Sequence, residues 1–321
     1  MAPFAPERAM HEPWPDLPFH AWKPTFETLH RCCQIIGKVQ LACTTLVNHW
    51  WNVAFLVDAR GMHTQPMRWG DETFEVQLDL VDHRWIVRTS GGRSSSVPLY
   101  ARPVAEFREE FFHTLGALGI HVEIDDRPTE IPGPVVPFRE DREHASYDPD
   151  ATSAWHRILL SSQRVFEDFR GRFVGKSSPV LFYWGSFDLA VTRFSGRPAP
   201  PLPDADSILR EGHSHESCSA GLWPGTDALG GPLYYSYTVP APPGYEAAPV
   251  EPDEARFDPD LGEFILPYDV VRRSARPRET LLRFLQSTYE AGADAAGWDR
   301  ASLERQERRA PVEEAEAPSL H

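Results

Sequence analysis

The chain of 321 residues carries 47 acidic against 32 basic residues, a formal net charge of -15. Such a charge repels phosphate backbones and anionic membrane surfaces at long range, which argues against nucleic acid or a membrane as a partner. The length allows two domains or one large one, on the usual scale of about 100–200 residues each; a hydrophobic fraction of 41%, with aromatics making up 12% of the chain, predicts a packed core.

The opening MAPFAPERAMHEPWPD lacks the basic start and apolar run of a secretory signal, and nowhere do eighteen apolar residues follow one another. The expectation is a soluble, cytoplasmic protein. The cysteines, Cys32, Cys33, Cys43 and Cys218, have no CxxC spacing, which fits reduced thiols in that compartment.

In chain order, residues 1–13 read as a flexible N-terminus and 14–124 as a first α+β half. Its first helix follows Pro24, with Phe26, Leu29, Cys33 and Ile36 on one face before Gly37. β-rich stretches follow at 48–58, 74–80 and 84–89. The first contains His49, Trp50, Trp51 and Asn52, whose alternation as a strand puts His49 and Trp51 on one side and Trp50 and Asn52 on the other. A second helix follows Pro103 and aligns Val104, Phe107, Phe111, Leu115 and Leu118 before Gly119.

Residues 125–147 form a proline-punctuated connector, in which His144 and Tyr147 can reach over either half. The second α+β half spans 148–300. Asp148 caps its first helix, Pro149 opens it, and Trp155, Ile158, Leu159, Ser162, Phe166, Phe169 and Phe173 keep a 3.6-residue period up to Gly175. β-rich stretches lie at 180–194, 216–222, 233–239 and 263–268, with long loops at 198–206 and 240–252. A last helix follows Pro277, with Leu281, Leu285, Tyr289 and Gly292 on its inner stripe and Gly297 after it. Residues 301–321 read as a flexible or frayed helical tail. The fold class is therefore α+β, in two similarly organised halves of helix, antiparallel strands and helix. The recurrence of Ile-Gly-Lys (36–38) and Val-Gly-Lys (174–176) raises an internal duplication.

The strings SPVLFYWGSFDLAVTRFSGR (178–197), HSHESCSAGLWPG (213–225) and FLQSTYEAGADAAGWDR (284–300) resemble a bacterial family known only as a domain of unknown function. WPDLPFHAWKPTFETLH (14–30) and PFREDREHASYDPD (137–150) extend the resemblance over nearly the whole chain. It implies no activity, ligand or catalytic residue. The chain departs from the family's pattern at Leu181, where a histidine is expected, and at His213, where an aromatic residue is expected.

Chemistry-bearing residues concentrate in the second half. His213, His215 and Glu216 combine imidazole with carboxylate, which supplies either an acid/base pair or metal ligands. On a strand the two histidines share a face and Glu216 takes the other, so a metal site needs a third ligand from elsewhere, with Asp188 the candidate. In 180–194, read as one strand, Tyr183, Phe187, Leu189 and Val191 form one face and Phe182, Trp184, Ser186, Asp188 and Thr192 the other. A carboxylate among aromatics needs a partner, water or a ligand. Arg193, Ser195, Gly196 and Arg197 form a basic corner able to clamp a carboxylate or phosphate, although arginines also pair with a protein's own acids.

The expected site is therefore a pocket for a small polar or anionic ligand. Trp184, Arg193, Ser195 and Arg197 bind, His215 or Glu216 acts as general base, and Asp188 orients it. This arrangement requires His215, Asp188 and an arginine to converge on one concave site. The alternatives are a metal-dependent enzyme and a non-catalytic binding or scaffold protein whose aromatics are core and whose histidines are solvated. No GxSxG or P-loop spacing is present, no motif names a cofactor, and nothing sets the oligomeric state.

Overall fold

A computed structural model of the chain describes residues 12–305. Most of the two termini expected to be flexible, 1–11 and 306–321, lies outside the described residues. Helix α1 (Phe19–Cys43) starts five residues before Pro24 and continues through Gly37, which was expected to end it. Gly37 has a packing role instead: the Trp184 indole lies against it, and a Cβ there would come 2.3 Å from the ring.

After α1 the chain makes a tight turn at Asn48–Trp50, where a strand was expected. His49 and Trp50 take φ values of 58° and 60°, in the left-handed region, and no strand can pass through such residues. Extended structure begins only at β1 (Leu56–Val57). With β2 (Gly61–His63), β3 (Met67–Trp69), β4 (Glu72–Asp79), β5 (Arg84–Thr89) and β6 (Ser94–Pro98) it builds an antiparallel sheet in the order β1-β2-β4-β5-β6, with β3 also on β4. Helix α2 (Val104–Ala117) covers it, setting Phe107 and Phe111 against Trp85 at ring distances of 6.1 and 5.2 Å. Gly119, at φ 77°, ends the helical segment as expected.

Helix α3 (Pro149–Gly171) opens on Asp148, whose carboxylate accepts from the backbone N–H of Asp150 and Ala151, and stops four residues short of Gly175. The stretch 180–194 is not one strand but a hairpin. β7 (Leu181–Tyr183) and β8 (Asp188–Pro198) flank a turn in which Phe187 sits at φ 62°. Tyr183 pairs directly with Asp188 and therefore shares its face, opposite to the single-strand alternation. After α4 (Ser207–Gly212) come β9 (His215–Trp223), β10 (Leu233–Val239), β11 (Arg256–Asp258), β12 (Glu263–Pro267), α5 (Tyr268–Arg273), α6 (Pro277–Ala295) and α7 (Arg300–Leu303). The second sheet is antiparallel, in the order β11-β12-β10-β9-β8-β7. The class is α+β, with helix, antiparallel strands and helix in each half.

A continuous core joins the halves. Trp22 of α1 stacks on Trp155 of α3 at 5.0 Å, and Trp155 lies 6.0 Å from Phe187 in the hairpin turn. Each buried aromatic of this size removes about 150–250 Å² from water, worth about 4–6 kcal/mol. Helices α3 and α6 seal one face of the second sheet: the Tyr234 and Ser162 hydroxyls meet at 2.9 Å, and Gly292 lets α6 close onto Thr238. The opposite face of that sheet looks into a cavity. No helix among the described residues is long and apolar enough to cross a membrane.

Candidate functional site

Strand alternation decides what the cavity meets. On β8, Asp188, Ala190, Thr192 and Phe194 face it, while Leu189, Val191 and Arg193 point back toward α3 and α6. Ser217, Ser219 and Trp223 of β9, Tyr235 and Tyr237 of β10 and Glu263 of β12 continue the same polar face. The cavity measures about 880 Å³. Its other walls come from α1, from the connector around Glu130, and from the tight turn and α4, where Trp50, Trp51, Ile208 and Leu209 reach it.

Asp188 is 6% exposed. Its carboxylate accepts hydrogen bonds from the Ser186 hydroxyl, two residues back in the turn, and from the Tyr235 hydroxyl. Trp223 fixes that turn by donating from its indole N–H to the Ser186 carbonyl at 3.2 Å, and Trp184 does so by donating to the Val53 carbonyl at 2.7 Å.

Glu130 arrives from the connector, placed there by α1. One turn apart on that helix, His30 and Gln34 share a face; His30 lines the cavity and Gln34 lies buried beside it. The Gln34 amide donates to the Thr129 carbonyl at 2.7 Å and accepts from the Thr129 N–H at 2.7 Å, gripping the residue before Glu130. His30 Nε2 lies 2.9 Å from the Gly185 carbonyl; a carbonyl only accepts, so Nε2 carries the proton. Burial pushes His30 down to about 4, so the ring is neutral. Glu130 itself sits at φ 59°, an uncommon and costly conformation for a glutamate, and its carboxyl occupies the place a Cβ on Gly185 would take.

Three carboxyls thus border one cavity, Asp188 and Glu263 on the sheet and Glu130 on the connector, and the Asp188 charge raises the other two. Burial comes first for each. It lifts Asp188 above the usual carboxylate range against the two hydroxyls that pull it down. Burial, then the charges of Asp188 and Asp206, push Glu130 up to about 7. Much of the residue's surface is exposed, although protein surrounds the carboxyl on most sides. Burial, then Asp188 and Asp258, also push Glu263 up to about 7. Tyr183, Tyr235 and Tyr237 are all shifted upward by burial and remain neutral donors. Chemically, the wall offers hydroxyl donors, one fixed acceptor and two carboxyls poised between protonated and ionised at neutral pH.

The residues expected from sequence divide sharply. Asp188 and Trp184 line the cavity. Arg193 does not: it is wholly buried behind the sheet, its guanidinium 3.4 Å from the Phe169 ring centroid and 4.3 Å from that of Tyr289. Arg197, Ser195 and Glu216 form their own cluster at the far end of β8. The Ser195 hydroxyl donates to Glu216 at 2.8 Å, Arg197 donates to Glu216 at 2.7 Å, and Arg197 also reaches the Ala296 carbonyl at 2.8 Å. At about 3.3 Å per residue along a strand, the nine residues from Asp188 to Arg197 amount to roughly 30 Å. His215 stays near the tight turn, its ring 5.7 Å from that of His49. The convergence of His215, Asp188 and an arginine is therefore not what the fold produces, because the arginines are engaged by the protein's own aromatics and acids. Among the described residues, no group of three or more histidines, cysteines, aspartates or glutamates is placed to hold a metal ion, His213, His215 and Asp188 included.

Glu130, Glu263, His30, Tyr235 and Tyr237 escaped the sequence analysis. The alternating tyrosines of 233–239 carried a signal, since Tyr235 and Tyr237 must share a face. Glu130 and Glu263 carried none, being single acids without a local motif.

Comparison with curated proteins and with solved structures returns no match. The sequence profile of a family described as a family of unknown function, DUF5996, matches residues 14–305, so the chain belongs to that family.

Proposed function

We propose that this chain is a small-molecule-binding protein whose ligand, neutral or positively charged, lies against the polar face of the second sheet. What carries the proposal is the cavity itself: about 880 Å³, within the range of ligand pockets, with aromatic walls and convergent polar groups on one side. The expected preference for anions is replaced, because Arg193 and Arg197 lie elsewhere and carboxyls take their place. A thermal-shift screen of sugars, polyols, amines and small carboxylates tests it. Hits among the first three classes, lost in Asp188→Asn and Glu130→Gln, support the proposal. A screen answered only by carboxylates, unaffected by both substitutions, sinks it.

A second reading, catalysis, is favoured by the pair Glu130 and Glu263, each at about 7, where a carboxyl gives and takes protons with equal ease at neutral pH. In it, one glutamate acts as general acid or base and Asp188 holds the substrate. Mass spectrometry of a hit after incubation with the protein separates the two: an unchanged molecule means binding alone.

A further inference from the structure

We propose that the ligand carries an amine cation, received by Asp188, Glu130 and Glu263, with its apolar body against the aromatic wall. The proposal rests on the small-molecule reading above and adds the charge of the ligand to it. The charge inventory of the cavity points there. Its three cationic lining residues are already matched: Lys23 pairs with Asp227, Arg31 with Asp141 at 3.2 Å, and Lys38 with Asp125 at 3.9 Å. Asp188, Glu130 and Glu263 have no lysine or arginine within ion-pair distance among the described residues, although Asp188 is more than nine-tenths buried. A buried carboxylate without counter-charge is costly, and a cluster of them more so. A neutral hydroxyl compound leaves that imbalance in place, and an anion worsens it. A cation removes it.

The surroundings suit a cation in a second, independent way. Tyr183, Tyr235 and Tyr237 line the cavity beside the carboxyls, with Tyr235 and Tyr237 stacked at 6.0 Å, and aromatic rings of this kind attract ammonium groups. Their hydroxyls are neutral, so they add no opposing charge. Across the cavity, Phe19 and Phe26 of α1 and Trp50 and Trp51 of the turn supply aromatic surface, set among the matched cations of α1. A molecule with an ammonium head and an aromatic or aliphatic body meets both sides.

The test uses three molecules of one shape and different head charge: phenethylamine, 2-phenylethanol and phenylacetate. Each is titrated against the full chain at pH 7.5 by ligand- and protein-detected NMR. The expected result is that the amine binds at least ten-fold more tightly than the alcohol, that the acid does not bind, and that Glu263→Gln weakens the amine about five-fold or more without changing the alcohol. Glu263 is only half-buried, so this variant reports even where Asp188→Asn fails to fold. An alcohol binding as well as the amine overturns the cation proposal and leaves the small-molecule reading standing. Tight binding of the acid alone overturns both, since neither reading admits an anion. Absence of binding by all three overturns both.

Discussion

Tyr235 reaches Asp188 across an intervening strand, over the bare backbone of Gly221. Gly221 pairs with Tyr235 on one side and with Ala190 on the other, and a Cβ on it would lie 2.5 Å from the tyrosine hydroxyl oxygen. The glycine is thus needed for space, not for backbone conformation. Gly221→Ala is expected to displace Tyr235, destabilise the fold by about 1–3 kcal/mol and weaken any cavity ligand. Tyr235→Phe removes only the hydrogen bond and should cost about 1–2 kcal/mol. Urea denaturation measures both; a neutral Gly221→Ala would contradict the contact.

Glu263 makes stability depend on pH with a definite sign. Its carboxyl moves from an ordinary 4.5 up to about 7 on folding, so between these values the folded chain holds more protons than the unfolded one. Its contribution is fully present below about 4.5 and is lost as pH rises to 7, at up to about 1.4 kcal/mol per pH unit where a whole proton differs. Glu263→Gln should gain on the wild type progressively across that window, and Glu130→Gln by less because Glu130 is more open. Unfolding free energies that differ by a constant from pH 4.5 to 7.5 would remove the cluster from consideration.

How α4 is held predicts where the cavity opens. His49 contributes its N–H to the Glu211 carboxylate at 3.0 Å and its Nδ1 to the Gly212 carbonyl at 3.1 Å, and the Trp50 indole donates to the Ile208 carbonyl at 3.2 Å. Ile208 and Leu209 are exposed, so few apolar contacts hold α4 beyond this latch. His49→Ala should raise amide exchange and proteolytic cleavage over 199–214 at least ten-fold while leaving protection in β8–β10 unchanged. Equal exchange in the two proteins would show that the latch holds nothing.

Arg193 offers a contrast with the function expected of it from sequence. One of its amino groups donates to the Phe169 carbonyl, but Nε and the other amino group have no partner among the described residues, and burial pushes the guanidinium down to about 10. An arginine so placed packs rather than binds. Arg193→Met should change stability by no more than about 1–2 kcal/mol and leave ligand affinity within two-fold, whereas Arg193→Ala should cost about 3 kcal/mol or more through the cavity it opens. A ten-fold affinity loss in Arg193→Met would return the residue to the site.

Periodicity made much of the fold legible. The proline starts of α3 and α6, the stop of α2 and the β-rich stretches that became β4, β5, β9 and β10 are local properties and were readable. Gly37 and Gly185 were not, because their reasons lie in Trp184 and Glu130, far away in sequence. The hairpin at 184–187 was hidden by its apolar flanks: Gly185 and Ser186 signal a turn, yet Tyr-Trp before and Phe after read as strand. Of the site, Asp188 stood out as a lone acid among aromatics, but its companions depend on tertiary placement alone. Arg197 misled for an electrostatic reason, since in a chain of 47 acids a cation usually has a partner, and Arg193 because strand alternation turns it behind the sheet onto aromatics.

Gln34, by gripping Thr129, ties the connector to the first helix, and Glu263 lies on one of the last strands. The cavity's carboxyl lining is therefore complete only when segments separated by more than 200 positions have all docked. A chain cut short before β12 lacks Glu263 and with it part of that lining, so a ligand held by Glu263 would tell such a fragment from the longer chain.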